Sequence, residues 1–493
     1  MNMTRPLPCF PPARLLRLAA LAIFLVCSIT QAAKNVILMV ADGAGENTWL
    51  AASMYQGRVG KQVYDQPGWV RLSCSTYPLN LSHTPTGDVK QDRTLVYDPS
   101  KAWDAAARPG SQSRFAGYAW LTASPTDSAA AATALATGRK TYNNAINWTN
   151  GGRPMRGLSI AEIAKRCGKS TGVITTVPWS DATPAGLGGA HNVNRKNHAE
   201  IANEMLDAGT LDVIMGGGNP DFDDDGQPLP PDRKRDYQWV GGRETWAALK
   251  AGKRPWKLIQ SRAEFESLGS GQTPSKVLGT AQVGTTFQEK RSEFVRTAGT
   301  MLLWQREPYY TPRLKSVPSL ATLSRAAINC LDKNSNGFYL MIEGGAVDWA
   351  NHANRPERTV EEQVDFLRAV EAVVAWIDSH GGWDETLLIL TADHESGLLW
   401  GPDSRTIAFD PIVDRGPGKM PGMLHNSHGH SNQLVPLFAR GPGSERFTRL
   451  IRGLDARAAA CWHISGKYVD DTDIFAVMKA GVMGRACAAG GAP

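Results

Sequence analysis

Cysteine is scarce, with seven in 493 residues, and none shows the close pairing of a zinc knuckle. A disulfide framework or a small structural zinc module is therefore excluded as the basis of the fold. Net charge is scarce too. The formal value of +6 includes Arg5, Arg14 and Arg17 ahead of an apolar run, and roughly +3 remains without them, too little to argue a nucleic-acid or other polyanion partner. Long apolar runs are missing beyond the N-terminal one, so no later segment reads as a membrane span. Internal repeats are absent. With 42% hydrophobic and 20% charged residues, the chain is not disordered and can bury one large core or two.

What is present begins with a leader. The apolar run Leu18 to Ile29 follows a basic stretch and precedes Thr30-Gln31-Ala32-Ala33, the three-part pattern of a secretory signal peptide cut near Ala32 or Ala33. The run is shorter than the ~20 residues a spanning helix needs, which argues against stable membrane insertion. Bulky Val26 before Cys27 disfavours a lipoprotein. A periplasmic or secreted location follows. Cys9 and Cys27 leave with residues 1–32, and Cys74, Cys167, Cys330, Cys461 and Cys487 face an oxidising compartment. Their odd number leaves at least one unpaired; Cys461 with Cys487 is the expected disulfide.

Short apolar runs ending in polar or glycine-rich steps recur through the chain. They are Val36 to Val40 before Asp42, Val173-Ile174, Val213 to Met215, Phe338 to Ile342 before Glu343, Leu387 to Leu390 before Asp393, and Val435 to Ala439. Such uninterrupted runs read as strands covered on both faces. Helical spacing separates them at Ser159 to Arg166, at Leu320 to Leu331 and along Val360, Val364, Leu367, Val370, Val374 and Ile377. The alternation predicts an α/β fold with a mostly parallel central sheet and helices on both faces. Ligands in such sheets bind beyond the carboxyl ends of the strands, where Asp42, Glu343 and Asp393 stand. Residues 33–493 read as one catalytic domain, with decorations at about 56–114 and 219–317.

Ser128 follows Thr126-Asp127 and leads into alanine-rich sequence, so it stands in the first turn of a helix, where free amides and the dipole favour an anion. A plain N-cap has the same appearance, and the segment acquires meaning only through partners. Glu343, Asp348 and His352 lie within ten residues at one strand end, and Asp393-His394 follows another. Oxygen and nitrogen ligands of this kind suit zinc and magnesium, and their recurrence at three strand ends predicts a polynuclear metal site. Asp332 to Gly337 followed by Glu343 satisfies the EF-hand pattern, but the strand Phe338 to Ile342 carries Glu343 roughly 16 Å from the turn. Asp221 to Gly226 is also calcium-like; Pro228, Pro230 and Pro231 prevent a following helix, and it reads as a solvated acidic turn.

Together these residues resemble the alkaline phosphatase family, from Lys34 to about Gly443. The Asp-Ser-Ala segment, Thr137 to Tyr142, Asp181 to Gly186, the Glu343 to His352 cluster, Thr391 to His394 and His430-Ser-Asn occur in the family's order. The resemblance implies hydrolysis of small phosphate monoesters through a covalent phosphoserine on Ser128, at two zinc ions and one magnesium. It implies that Asp42, Asp393 and His394 hold one zinc beside Ser128, and that Asp348, His352 and His430 hold the other. Asp42 then bridges to a magnesium shared with Thr183 and Glu343. Arg195 matches the arginine that grips the phosphate, Asp127 is expected to join it in binding substrate with Asp181 and Trp349 in support, and a homodimer is implied as well. His430 is preferred over His428 as the ligand because Ser-Asn and the strand Val435 to Ala439 follow it at the family's spacing; His425 and His428 read as loop histidines.

Two departures stand out. Trp349 occupies the position where many relatives carry a Lys or His near the phosphate, and the loop after Gly186 is one residue longer before Arg195. They bear on magnesium affinity, phosphate release and pH optimum. A phosphodiesterase or sulfatase using the same bimetal core is the first alternative, and a non-catalytic metal- or phosphate-binding protein the second.

Overall fold

Uninterrupted apolar runs set the centre of the molecule. The computed structural model describes residues 32–111, 113–293 and 307–488; the leader, Cys9 and Cys27, and the side chain of Cys487, lie outside the described residues. From Ala32 onward the chain forms one compact unit. In chain order its strands are β1 (Asn35–Ala41), β2 (Val70–Ser75), β3 (Ser170–Pro178), β4 (Val213–Gly217), β5 (Lys257–Ile259), β6 (Val277–Thr280), β7 (Phe338–Gly344), β8 (Thr386–Thr391), β9 (Glu395–Ser396), β10 (Leu399–Trp400), β11 (Leu424–His425), β12 (His430–Ser431), β13 (Val435–Arg440), β14 (Gly453–Leu454) and β15 (Lys467–Asp470). Eleven of these form one sheet in the order β14-β15-β2-β13-β8-β1-β7-β3-β4-β6-β5. The seven from β8 to β5 run parallel, and β13 is antiparallel to both of its neighbours.

Every residue of β1, β7 and β8 is buried, because helices cover both faces of a parallel sheet. The helices Leu320–Leu331 and Pro356–Ser379 pack on each other and on β7, while Ser128–Thr137 and Ile160–Arg166 pack against the last helix, Asp471–Ala488. Along Pro356–Ser379 the buried stripe is Val360, Val364, Leu367, Val370, Val373 and Ile377; burying each is worth about 1.5–3 kcal/mol over leaving it exposed. Val373 takes the place expected of Val374, which is only partly buried. Either step fits a 3.6-residue turn, and the packing decides.

The two stretches expected to decorate the scaffold instead lend it strands. Residues 56–114 supply β2, which pairs with β13 and β15. Residues 219–317 supply β5 and β6 at the sheet edge. β2 hides because its inward Ser73 and Ser75 are polar, satisfied by Glu46 and by the Val469 carbonyl. The disulfide expectation also fails: Cys461 is a free thiol, and Cys167 is disulfide-bonded. Cys461 lies in the helix Ala456–Trp462 beside an aromatic cluster, whereas the last helix runs along Ile160–Arg166, whose C-cap is Cys167.

The EF-hand-like segment behaves as a turn. The helix ends at Leu331, and Gly337, at φ +79°, leads into β7. A Cβ there would lie 2.0 Å from the Lys34 carbonyl oxygen. Gly337→Ala is therefore expected to destabilise the fold by about 2–4 kcal/mol, read as a lower urea midpoint at unchanged slope.

Candidate active site

Three adjacent parallel strands deliver three acids to one place. In β1, Val40 pairs with Glu343 on one side and Thr391 on the other, so Asp42, Glu343 and Asp393 emerge together at the carboxyl edge. All three are buried. Burial, then the neighbouring carboxylates, raises Asp42 well above the usual range. Burial drives Glu343 up to about 8 and Asp393 up to about 7. Acids so placed either hold protons or surround cations.

Several individual polar atoms here go unsatisfied by the protein. Asp42 Oδ1, Asp393 Oδ2, both Glu343 carboxylate oxygens and Thr183 Oγ1 are buried without a hydrogen bond. Buried polar groups are normally satisfied, so a connected set of orphans fits a cation site. Thr183 arrives on the helix Ala182–Leu187, capped by Asp181. Hard oxygen donors of this kind, Asp42, Glu343 and Thr183, suit magnesium.

His394 links the acids to Ser128. Its Nε2 lies 3.1 Å from Ser128 Oγ, 3.3 Å from Asp393 Oδ2 and 3.6 Å from Asp42 Oδ1. Burial, reinforced by His430 and His352, keeps the imidazole pKa well below its ordinary value, so the ring is neutral and suited to ligation. Ser128 opens the helix Ser128–Thr137, with Asp127 as N-cap accepting from the Ala130 amide.

A second group gathers on the helix Ala346–His352 and β12. Asp348 Oδ1 is 3.5 Å from both His352 Nε2 and His430 Nε2, and these two nitrogens are 2.9 Å apart. His352 Nδ1 bonds the His428 carbonyl and His430 Nδ1 bonds the Thr126 carbonyl. Each ring thereby donates its Nδ1–H to backbone and presents Nε2 as a ligand, the usual arrangement around a metal. Pairing of His430 with Ser396 sets the His430 ring against His394, centroids 3.6 Å apart.

Among the described residues, two groups are thus close enough to hold a metal ion, Asp348–His352–His430 and Asp42–Asp348–His394. The first is the set expected from sequence. The second has Asp348 where Asp393 was expected, although Asp393 remains within reach of His394 Nε2. The donor chemistry fits zinc.

Arg195 stands over Ser128's end of the site, with Nη1 3.3 Å from Asp127 Oδ2 and Nη2 3.1 Å from Asp181 Oδ1. Burial opposes its charge, but Asp181, Asp127 and Asp42 more than offset it and raise its pKa. The two aspartates therefore aim the guanidinium. Trp349 carries a cation on its face: Lys290 Nζ lies 4.5 Å from the ring centroid.

His425 is not the loop histidine expected. It is buried in β11, its Nε2 3.1 Å from Asn351 Oδ1, and burial followed by His428 lowers it to about 3. The reason is the β10–β11 pairing of Leu399 with His425, formed by two-residue strands too short to show a pattern. His428 is exposed and does lie in the loop. Missed altogether was Ser396, which bonds Asp348 Oδ1; its spacing two residues after His394 was the available signal. The acidic turn is held by its own chain, Asp221 by Arg235 and Lys250, Asp224 by Thr285 and Asp225 by Ser292.

With this geometry in view, comparison decides the family. Residues 116–412 match the family model for alkaline phosphatase. The chain belongs to the alkaline phosphatase family. Alkaline phosphatase 4 of Bacillus subtilis is 35% identical over 68% of this chain, which spans 63% of that relative's length. The alkaline phosphatase of Escherichia coli K12 is 26% identical, covering 91% of this chain and 86% of its own. The solved alkaline phosphatase of the Antarctic bacterium TAB5 superposes with a TM-score of 0.58 over 92% of this chain and 99% of that one, at 22% identity. That likeness establishes a shared alkaline phosphatase fold. Among the described residues, no helix is long and apolar enough to cross a membrane.

Proposed function

We propose that this alkaline phosphatase family member is an exported enzyme that hydrolyses phosphate monoesters through a covalent phosphoserine on Ser128. The observation that carries the reading is the position of Ser128 Oγ, 3.1 Å from His394 Nε2 at a helix start, in a site that also holds the buried carboxylates Asp42, Glu343 and Asp393 and Arg195. The leader sequence supports a periplasmic or secreted location.

The residues assign themselves to steps. Arg195, preset by Asp127 and Asp181, binds two phosphoryl oxygens through its planar fork. The amides of Ser128 and Ala129, without intrahelical acceptors, add positive potential at the helix start. Ser128 Oγ gives up its proton and attacks phosphorus, the bond to the ester oxygen breaks, and that oxygen takes up a proton from water and leaves as the alcohol. Water then cleaves the phosphoserine, returning Ser128 and releasing inorganic phosphate. His394 cannot serve as the base of a triad, because it is surrounded by ligand-like atoms and its Nδ1 faces Ser396 at 3.5 Å rather than a carboxylate.

Asp42, Asp393 and His394 would hold one zinc, Asp348, His352 and His430 the second, and Asp42, Thr183 and Glu343 a magnesium. Bound there, such ions supply the positive charge that ionises a serine hydroxyl at neutral pH and neutralises phosphoryl oxygens.

A substrate panel tests the reaction class. With zinc and magnesium present, phenyl phosphate is expected to exceed bis(p-nitrophenyl) phosphate and p-nitrophenyl sulfate in kcat/KM by about 1,000-fold or more, since only the monoester dianion matches this charge. Preference for the diester or the sulfate would replace this reading with the corresponding relative of the same metal core.

A further inference from the structure

Arg108, Arg114 and Arg405 line one groove of about 930 Å³ together with Asn354 and His428, and among the described residues no carboxylate contributes to its wall. None of the three arginines has an ion-pair partner among the described residues. Two of them are set against each other by the backbone. Ala107 bridges Phe115, and the Arg108 amide donates to the Arg114 carbonyl at 2.8 Å, which makes the two arginines directly opposed across a hairpin. Like charges so placed are destabilising unless something negative lies between them.

The wall is anchored rather than loose. Phe115 packs edge-on to Tyr118, centroids 5.3 Å apart, and the Tyr118 hydroxyl accepts from the Phe409 amide at 3.0 Å. Tyr118 therefore ties the hairpin to the segment that carries Arg405, where Thr406 N bonds the Asp403 carbonyl. The groove also abuts the reaction centre. His428, one of its lining residues, supplies the carbonyl that fixes His352, and its Nδ1 lies 3.0 Å from the His352 carbonyl.

We infer that this groove is a subsite for anionic groups on the alcohol portion of the substrate, remote from the phosphate that is cleaved. The substrate class is then a small phosphate ester bearing at least one further phosphate or carboxylate, drawn in by a concave wall of one charge and held by arginine forks. The volume lies within the range of small-molecule pockets, with ample room for a sugar phosphate. The inference rests on the monoesterase reading of the adjoining site.

The test compares fructose 1,6-bisphosphate with phenyl phosphate, whose leaving group is uncharged, in the full chain loaded with zinc and magnesium. Combined Arg108→Gln, Arg114→Gln and Arg405→Gln substitution is expected to raise KM for the bisphosphate about tenfold or more. Its kcat, and both constants for phenyl phosphate, are expected to change less than about twofold, and the corresponding triple lysine variant to recover most of the loss. Equal changes for the two esters, or none, would overturn the subsite. Calorimetric titration with naphthalene-1,3,6-trisulfonate, which a phosphatase cannot cleave, separates the two readings. Binding that weakens about tenfold in the triple glutamine variant supports the groove even if neither ester is hydrolysed, an outcome that would sink only the monoesterase reading. Binding that the variant retains overturns the groove whatever the turnover.

Discussion

Ser128→Ala is expected to lower kcat/KM for phenyl phosphate by about 10,000-fold or more, with bound zinc near the wild-type content. The substitution removes one oxygen and disturbs little else. Alanine is the best helix former, and Asp127 still caps through the Ala130 amide, so the helix start and the aim of Arg195 survive. Asp42, Asp393 and His394 remain to bind metal. What is lost is the hydroxyl that lies 3.1 Å from His394 Nε2. Residual turnover measures direct attack by water, aided by Arg195 and the site's charge. If the variant kept most of its activity, the serine would be no more than a helix residue, and a one-step displacement by water would take its place.

Stripping the metals is expected to be nearly as severe. Chelation should cost about 1,000-fold or more in activity, recovered by adding zinc and magnesium to the wild type and not to an Asp42→Ala variant, since Asp42 serves two of the proposed sites. Stability supplies an independent readout. In the metal-free chain burial holds Asp393 at about 7 and Glu343 at about 8, above the ordinary carboxylate range of the unfolded chain. Between those limits the folded state binds more protons than the unfolded one, so stability falls as pH rises. The metal-free protein should therefore melt progressively lower from the ordinary carboxylate range up to about pH 8, while the metal-loaded protein should not follow that trend. Urea midpoints of the two forms across this window would show it, and parallel curves would contradict a cation requirement at these carboxylates.

Much of this candidate site is legible in the sequence, for a physical reason. β1, β7 and β8 are buried on both faces, so their sequences are continuous apolar runs, and the acids that end them stand out by contrast. Asp42, Glu343 and Asp393 stand out in that way, and the adjacency of their strands brings them to one place. Ser128 was visible only as a helix start, since a cap and a nucleophile have the same local sequence; its meaning comes from His394, 266 positions away. What escaped notice was long-range or short-patterned. β2 conceals itself with Ser73 and Ser75, whose hydroxyls find partners on other segments. β5 and β6 are three and four residues long. His425 is buried by two-residue strands, and Lys290 meets Trp349 across 59 positions of chain (349 against 290). The Cys461 thiol shows the same limit, because disulfide pairing depends on how helices pack rather than on spacing along the chain.

A covalent phosphate on Ser128 is open to direct measurement. The metal-loaded enzyme, mixed with a phosphomonoester and quenched in acid within a turnover, should yield a phosphorylated peptide containing Ser128 on mass analysis, absent without substrate and absent from Ser128→Ala. A peptide that stays unmodified while the burst of released alcohol is observed, or a phosphate found on another residue, would contradict the account.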